Sequence, residues 1–252
     1  MRLVAPFYAW GEHLAIDLSG ARAAFTTRRG GFSTGPFESL NLGRLTDDDP
    51  RAVGRNRALL QNHVAGSLSM IRQVHGSRVL RVEQAHWVAP ADSERNLELE
   101  EADGQVTARE RVVPMVLTAD CLPVAVAGGG AVAMLHAGWR GLAGGVIDEG
   151  VRAVRELAGT APLAAAIGPG AGPCCYEVGE EVHGRFSAYG DDVHRGRTLD
   201  LKAIARAQLE RAGVDPVHDA GLCTICSPAD LFFSHRRDRG VTGRQAGVAW
   251  LT

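Results

Sequence analysis

The sequence lacks the features that mark a membrane span, a nucleic-acid-binding surface or a disulfide framework. Its most apolar region, residues 112–137, is interrupted by Pro114, Asp120, Pro123 and three consecutive glycines, so we expect no membrane-spanning helix. Lysine and arginine (27) nearly balance aspartate and glutamate (29), which disfavours a nucleic-acid partner. Five cysteines are an odd number for paired disulfides in a chain of 252 residues. We therefore expect free thiols, a cytoplasmic location, and no membrane or nucleic-acid partner.

The sequence also contains no compact metal-binding motif. Without H-x-E and P-C-x-x-C it does not match the zinc site of cytidine deaminases, and without H-x-H it does not match an ordinary multicopper oxidase. Cys223 and Cys226 form a C-x-x-C pair, but no second such pair completes a zinc ribbon, and Pro228 disfavours a thioredoxin-like helix start. The adjacent Cys174 and Cys175 lack ligand spacing. The roles of these four cysteines stay open.

The composition is that of an ordinary globular protein, 45% hydrophobic and 22% charged. Apolar runs predict strands, helical periodicity predicts helices, and glycines 128–130 predict a hairpin between two of the strands. The main predicted strands are 113–118, 122–127, 131–136 and 163–168; the main predicted helices are 49–65, 142–158 and 199–212; residues 88–100 are predicted to be an acidic loop. Strand runs mixed with helices favour an α+β fold with a mixed sheet, organised as a single domain over residues 1–252.

Three residues at predicted strand ends could form a metal site. Cys121 follows Asp120 in a tight turn, and His136 ends the return strand of the next hairpin, so both reach the same sheet edge. His75 also ends a predicted strand. One thiolate and two imidazoles suit Zn²⁺ with a fourth position open to water, which is the catalytic arrangement. The simpler alternative is a buried cysteine packed as a small hydrophobe beside hydrogen-bonded histidines.

Glycine-rich segments with arginine predict an anion site. Arg28 lies in a loop of hydroxyl and glycine residues, and Arg140 lies just before a predicted helix, where phosphate is favoured. Three further arginines, Arg236, Arg237 and Arg244, lie near the C-terminus. The alternative for any one of them is a solvated surface charge.

Taken in order, the motifs resemble those of the bacterial laccase-domain family, whose members are known as polyphenol oxidases, purine nucleoside phosphorylases or peptidoglycan editing factors. The resemblance covers about residues 25–252 and rests on six segments: QVHG (73–76), ADGQVT (102–107), TADCLPV (118–124), HAGWRG (136–141), IGPGAGPCCYEVG (167–179) and FSHRRDRGVTGR (233–244). The family often has one cysteine before its Y-E-V-G, where this chain has Cys174 and Cys175.

The resemblance implies an α/β/β/α sandwich and one zinc or copper ion per chain, held by His75, Cys121 and His136. It also implies phosphorolysis of adenosine, inosine, guanosine and methylthioadenosine, and hydrolytic deamination of adenosine. The partners would be a purine nucleoside and phosphate, and the chain would be a monomer or a small homo-oligomer.

A mechanism can be written for each reaction. In phosphorolysis, phosphate attacks C1′ of the ribose while Arg28 and Arg140 hold it and neutralise developing charge. In deamination, a bound metal would activate the water that attacks C6 of adenine, and Asp103 or Asp120 would serve as proton shuttle. The predicted catalytic set is therefore His75, Cys121 and His136 with these two carboxylates.

Three other functions are consistent with the same residues. A cysteine amide hydrolase would use Cys121 as nucleophile and His136 as base on a peptidoglycan precursor. A copper-dependent polyphenol oxidase is disfavoured because one mononuclear site does not readily reduce oxygen by four electrons. A metal-storage or scaffold protein would need no anion site.

Overall fold

The computed structural model describes residues 3–86 and 99–252, and its strands form two six-stranded sheets. The first sheet has the order β1-β2-β3-β14-β7-β4. Its strands are β1 (Tyr8–Trp10), β2 (His13–Leu18), β3 (Ala21–Phe25), β4 (Ser67–Ser69), β7 (Val112–Thr118) and β14 (Gln245–Leu251). The predicted acidic loop lies, up to residue 98, outside the described residues.

The second sheet has the order β13-β10-β8-β9-β6-β5. Its strands are β5 (Val79–Arg81), β6 (Gly104–Thr107), β8 (Leu122–Gly128), β9 (Ala131–Ala137), β10 (Ala164–Ile167) and β13 (Val217–Asp219). A separate two-stranded ribbon pairs β11 (His194–Arg195) with β12 (Thr198–Leu199). Both large sheets mix parallel and antiparallel pairs, as predicted for the α+β class.

Five α-helices flank the sheets in the described part of the chain. They are α1 (Pro50–Gln61), α2 (Trp139–Ala143), α3 (Val146–Ala158), α4 (Glu180–Arg185) and α5 (Leu201–Arg211). Among these residues no helix is long and apolar enough to cross a bilayer. The side chain of Asp49 caps α1 and Pro50 occupies its first turn, as the sequence predicts.

Three apolar layers show how the elements stack. The two sheets face each other through a layer that includes Phe25, Val116 and Met134. The other face of the first sheet packs against Leu60 of α1, and the other face of the second sheet packs against α3 and α5. The predicted α/β/β/α sandwich is therefore confirmed.

The helix predicted over residues 142–158 is two helices rather than one. Gly145 separates α2 from α3 with a φ of 87°, a left-handed conformation that glycine adopts without steric cost. Helical periodicity alone does not report this break, because the apolar positions on both sides of it point to the same core.

The turn at Ala119–Cys121 joins the two sheets rather than two neighbouring strands. β7 belongs to the first sheet and β8 to the second, so the turn crosses the edge of the sandwich. Asp120 has a φ of 95°, which reverses the chain within a few residues. The turn therefore places Cys121 at the rim, where both sheets end.

Acid is expected to weaken the first sheet through His13. Burial lowers the pKa of His13 to about 4, and neighbouring His63 lowers it further. The Thr27 backbone N–H donates to Nδ1 of His13 at 3.2 Å, which requires a neutral ring. Since the folded pKa lies below the ordinary value of about 6.5, this stabilisation is complete above pH 6.5 and is lost as pH falls toward 4.

We expect the free energy of unfolding to fall by about 2 kcal/mol between pH 7 and pH 5 from this group alone. Urea denaturation at the two pH values measures the change. His13→Gln keeps an acceptor for Thr27 and removes the titration, so its pH dependence should be smaller by that amount. Equal pH dependence in both proteins would contradict the assignment.

Candidate metal centre

The β8–β9 hairpin brings Cys121 and His136 together. Its register pairs Leu122 with Ala137 and Pro123 with His136, so the residue before β8 and the end of β9 share one edge. His136 follows Val132 and Met134 by alternation and therefore points to the space between the sheets. This part of the site matches the expectation from local sequence.

His75 completes the cluster from a loop that precedes β5. One ligand atom from each of His75, Cys121 and His136 lies within 4.8 Å of the others. The two imidazole rings are 4.8 Å apart between centroids and nearly perpendicular, so they do not stack flat against each other. His136 is 3% exposed and His75 is exposed, so the cluster is closed on one side and open to solvent on the other.

Asp103 holds two of these three residues in place. One carboxylate oxygen accepts from Nδ1 of His136 at 2.8 Å and from the backbone N–H of His75 at 2.9 Å. The other accepts from the backbone N–H groups of Gly76 and Val74, at 2.6 and 3.2 Å. A carboxylate that orients a ligating histidine through its second nitrogen is the usual support of a metal site.

The charges around Cys121 favour the form that binds metal. Burial raises the pKa of the Cys121 thiol, but His136 and His75 outweigh burial and bring it below the ordinary cysteine value. Burial lowers the pKa of His136, and the Cys121 sulfur and Asp103 reverse this and raise it. A thiolate is the ligand and nucleophile form of cysteine, so Cys121 is prepared for either role.

The donor set fits a zinc or copper ion. One thiolate and two imidazoles are soft to borderline ligands, and the open side beside His75 leaves room for a further ligand. Gly138 allows the backbone to lie close to two of the ligand residues. A Cβ at this position would lie 2.8 Å from the Cys121 sulfur and 3.5 Å from Cδ2 of His75.

Gly138→Ala is expected to weaken metal binding at least about tenfold, because the added methyl displaces the Cys121 sulfur from the position shared with the two histidines. Competition with a chelator measures the affinity. Gly179→Ala is the matched control, since nothing lies within 4 Å of its added Cβ. If both variants bind metal as tightly as the parent, the close packing at Gly138 does not affect metal affinity and the expectation is wrong.

Tyr176 and Arg244 are close enough to Cys121 to be affected by its charge, and Arg236 and Arg140 are close to Tyr176. Burial raises the pKa of Tyr176 to about 12, with the Cys121 charge raising it further and the charges of Arg236 and Arg140 opposing this. The guanidinium of Arg236 lies 5.3 Å from the centre of the Tyr176 ring. Burial lowers the pKa of Arg244, and the charges of Cys121 and Asp120 oppose this shift.

Local sequence does not mark Tyr176 as a site residue. It lies far from Cys121 along the chain, and the C-Y-E-V-G motif was the only signal that pointed to its segment.

The other predicted site residues occupy different positions. Asp120 is 7% exposed and accepts from the Thr224 hydroxyl and the Arg236 backbone N–H, each at 2.7 Å. Arg140 is exposed and lies over the Trp139 ring. Arg28 donates to the carbonyls of Glu38, Ala229 and Pro36 and lies over a phenylalanine ring, so much of its hydrogen-bonding capacity is used within the protein. Its phosphate role stays a prediction.

The four remaining cysteines form a second group that sequence spacing does not reveal. Cys174, Cys175, Cys223 and Cys226, here called the thiol cluster, have all their sulfur atoms within 4.8 Å of one another. All five cysteines of the chain are free thiols.

Comparison with known proteins gives a consistent result. The profile of the family described as multi-copper polyphenol oxidoreductase laccase matches residues 22–252. A protein from Xylella fastidiosa named purine nucleoside phosphorylase is 43% identical over 253 residues, covering 92% of this chain and 93% of that protein. A Pseudomonas aeruginosa protein of the same name is 40% identical over 241 residues, covering 91% and 93%.

Solved structures share the architecture. The crystal structure of the Bacillus licheniformis hypothetical protein YfiH matches with a TM-score of 0.87 and 31% identity, covering 99% of this chain and all of that chain (100%). The Neisseria meningitidis protein NMB0706 matches with a TM-score of 0.81 and 35% identity, covering 96% and 99%.

Proposed function

This chain belongs to the multi-copper polyphenol oxidoreductase laccase family, and on that premise we propose that it is a metal-dependent purine nucleoside phosphorylase. The observation that carries the proposal is a cluster of one thiol and two imidazoles that is exposed at His75, with the charge of Cys121 felt by Arg244 and by Tyr176, which Arg140 and Arg236 also affect. The names of the relatives supply the substrate class, purine nucleosides with phosphate.

His75, Cys121 and His136 would hold a zinc or copper ion, which when bound supplies a Lewis acid at the open side of the site. Arg140 and Arg236 both act on the pKa of Tyr176, which the Cys121 charge also affects, and they would bind inorganic phosphate there through charge-assisted hydrogen bonds. Held there, an oxygen of hydrogen phosphate would form a bond to C1′ of the ribose as the C1′–N bond breaks. The purine would leave with the electrons of that bond and take up the proton that the phosphate gives up. The Tyr176 hydroxyl keeps its proton at neutral pH and is a donor on the same side.

Adenosine deamination is a weaker proposal for this site. Deamination requires a group beside the substrate that carries a proton. The two candidate carboxylates, Asp103 and Asp120, already accept hydrogen bonds from the protein with their oxygens. Asp103 holds His136 and the His75 loop, and Asp120 joins the loops of Thr224 and Arg236. We propose that both are positioning residues.

A cysteine hydrolase is the second candidate, because Asp103, His136 and Cys121 are arranged in series as orienting acid, base and nucleophile. The presence of His75 favours a metal site over a cysteine hydrolase. A cysteine nucleophile needs only one histidine as its base, whereas here two imidazoles lie close to the sulfur. Chelation separates the two functions, because removing an ion abolishes phosphorolysis and leaves a thiol hydrolase active.

Product analysis tests the proposal. Metal-loaded protein with inosine and phosphate should yield hypoxanthine and ribose 1-phosphate in equal amounts, and omission of phosphate should abolish both. Adenosine, guanosine and methylthioadenosine in parallel reactions define the preference, and inosine formed from adenosine reports deamination. Absence of any phosphate-dependent release of base would overturn the proposal.

Arg236→Ala is expected to raise the KM for phosphate about tenfold or more, because one charge-assisted interaction with the anion is lost. The KM for inosine should change much less. Steady-state kinetics with each substrate varied in turn measures both values, and exposed Arg185, on α4, supplies the control variant Arg185→Ala. Equal effects on both substrates would place Arg236 elsewhere in the mechanism.

A further inference from the structure

The thiol cluster joins two loops that leave one edge of the second sheet. Cys174 and Cys175 follow β10, and Cys223 and Cys226 follow β13. Because β10 and β13 are parallel neighbours, the loops that follow them emerge at the same edge. The backbone N–H of Thr224 donates to the carbonyl of Gly170 at 3.0 Å, so the two loops are hydrogen-bonded to each other at the cluster.

Gly172, in the loop that follows β10, allows the two loops to pack closely at the cluster. A Cβ added at Gly172 would lie 3.1 Å from Cβ of Cys223 and 3.3 Å from the sulfur of Cys174. The N–H of Gly172 instead donates to the Cys223 sulfur at 3.2 Å, a contact that stabilises negative charge on that sulfur. The loops thus approach closely enough for thiols of both to meet.

The spacing of the sulfurs suits one tetrahedral ion. A Zn–S bond of about 2.3 Å puts the sulfurs of a tetrahedral site roughly 3.8 Å apart. The sulfur of Cys174 is 3.4 Å from that of Cys226 and 3.5 Å from that of Cys175, and none of the six separations exceeds 4.8 Å. The side chains already lie within a small shift of coordination geometry.

A route to the cluster exists from solvent. A surface cleft lined by Cys174, Cys223, Lys202 and Asp219 opens beside it, and Cys226 is exposed. An ion therefore reaches the sulfurs without unfolding the loops, and each thiol that binds it releases its proton to the solvent.

We propose that the thiol cluster binds a second metal ion, Zn²⁺ held by four thiolates of this chain, and that this ion is structural. Four protein ligands close the coordination sphere and leave no position for substrate, which is the arrangement of structural rather than catalytic zinc. The inference is independent of the reaction proposed above. It changes the expected metal content from one ion per chain to two.

The second ion would stabilise loops that contact residues of the first site. The Thr224 hydroxyl, between Cys223 and Cys226, donates to Asp120 at 2.7 Å, and Asp120 precedes the ligand Cys121. Tyr176, directly after Cys175, lies close enough to Cys121 for the Cys121 charge to raise its pKa. A zinc ion that joins the two loops therefore fixes the segments of Thr224 and Tyr176, both of which lie close to the residues of the first site.

Metal counting on whole protein tests the proposal. Protein purified under reducing conditions and loaded with zinc, then freed of loosely bound ions, should contain two ions per chain. Cys121→Ser should retain one, and the double variant Cys174→Ser with Cys226→Ser should retain the other. The double variant should also unfold at a lower temperature than the parent.

Spectroscopy of Cys121→Ser reads the ligands directly and does not depend on folding of the double variant. X-ray absorption should show zinc bound by sulfur alone at about 2.3 Å, and Co²⁺ in its place should show a tetrahedral tetrathiolate spectrum. A Cys121→Ser protein that binds no ion, or binds it through nitrogen or oxygen, overturns the proposal. Fewer free thiols than five in the denatured parent, with one ion per chain, assigns the cluster to a disulfide and also overturns it.

Discussion

Cys121→Ser is expected to abolish ion binding at the His75–Cys121–His136 site and to lower phosphorolysis at least about a thousandfold. A serine hydroxyl stays protonated and is a poor ligand for zinc or copper, so two imidazoles at the rim would remain. Loss of a Lewis acid costs several kcal/mol of transition-state stabilisation, and each 1.36 kcal/mol is about a factor of ten in rate. Metal analysis and the inosine assay measure the two effects.

Cys226→Ser serves as the matched thiol control for metal binding, because it removes an exposed cysteine of the thiol cluster and leaves all three ligands of the first site in the sequence. It should keep the ion bound by His75, Cys121 and His136. Iodoacetamide adds a second readout, since bound metal should protect Cys121 and chelation should expose it. A Cys121→Ser protein with undiminished metal content and turnover is incompatible with this site.

Asp103→Asn is expected to weaken metal binding by about ten- to a hundredfold, the usual effect of removing the partner of a ligating histidine. The carboxylate accepts four hydrogen bonds with two oxygens, and it is fully buried. An amide offers one oxygen and places an NH₂ group against N–H donors. The His75 loop and the His136 ring would therefore lose their shared anchor. Chelator competition measures the affinity.

The same variant should lose about 3 kcal/mol of folding free energy, because buried donors are left without an acceptor. Val248→Ala, a core truncation in β14, is a control of comparable instability away from the site. If Val248→Ala weakens metal binding as much as Asp103→Asn, then instability alone explains the loss and Asp103 does not position the ligands.

Local sequence was enough to place Cys121 and His136 together, because adjacent strands joined by glycines form a hairpin with fixed register. It did not show that Asp103 anchors His75 and His136, since that depends on how the loop before β5 packs on the start of β6. The prediction of Asp103 and Asp120 as proton shuttles stays untested, although their hydrogen bonds favour positioning.

The thiol cluster could not be predicted from the sequence, because its formation depends on the order of strands in the second sheet. Two helices, α4 and α5, the β11–β12 ribbon and β13 lie between Cys175 and Cys223 in the sequence, and the parallel pairing of β10 with β13 brings their loops together. The C-x-x-C spacing marks Cys223 and Cys226 as a possible ligand pair. The adjacent Cys174 and Cys175 have no ligand spacing of their own, and only the strand order places them beside that pair. The break at Gly145 is also not predictable from the apolar pattern, because α2 and α3 pack against the same hydrophobic core.

The most direct test of the central claim is phosphorolysis measured against occupancy of the His75–Cys121–His136 site. Chelated protein is reloaded with increasing amounts of zinc or copper, and bound ions are counted beside the same titration of Cys121→Ser, whose count reports any other site. We predict that formation of ribose 1-phosphate from inosine and phosphate rises in proportion to the difference between the two counts and is absent at zero occupancy. Full activity in chelated protein, or none at full occupancy, would contradict the account.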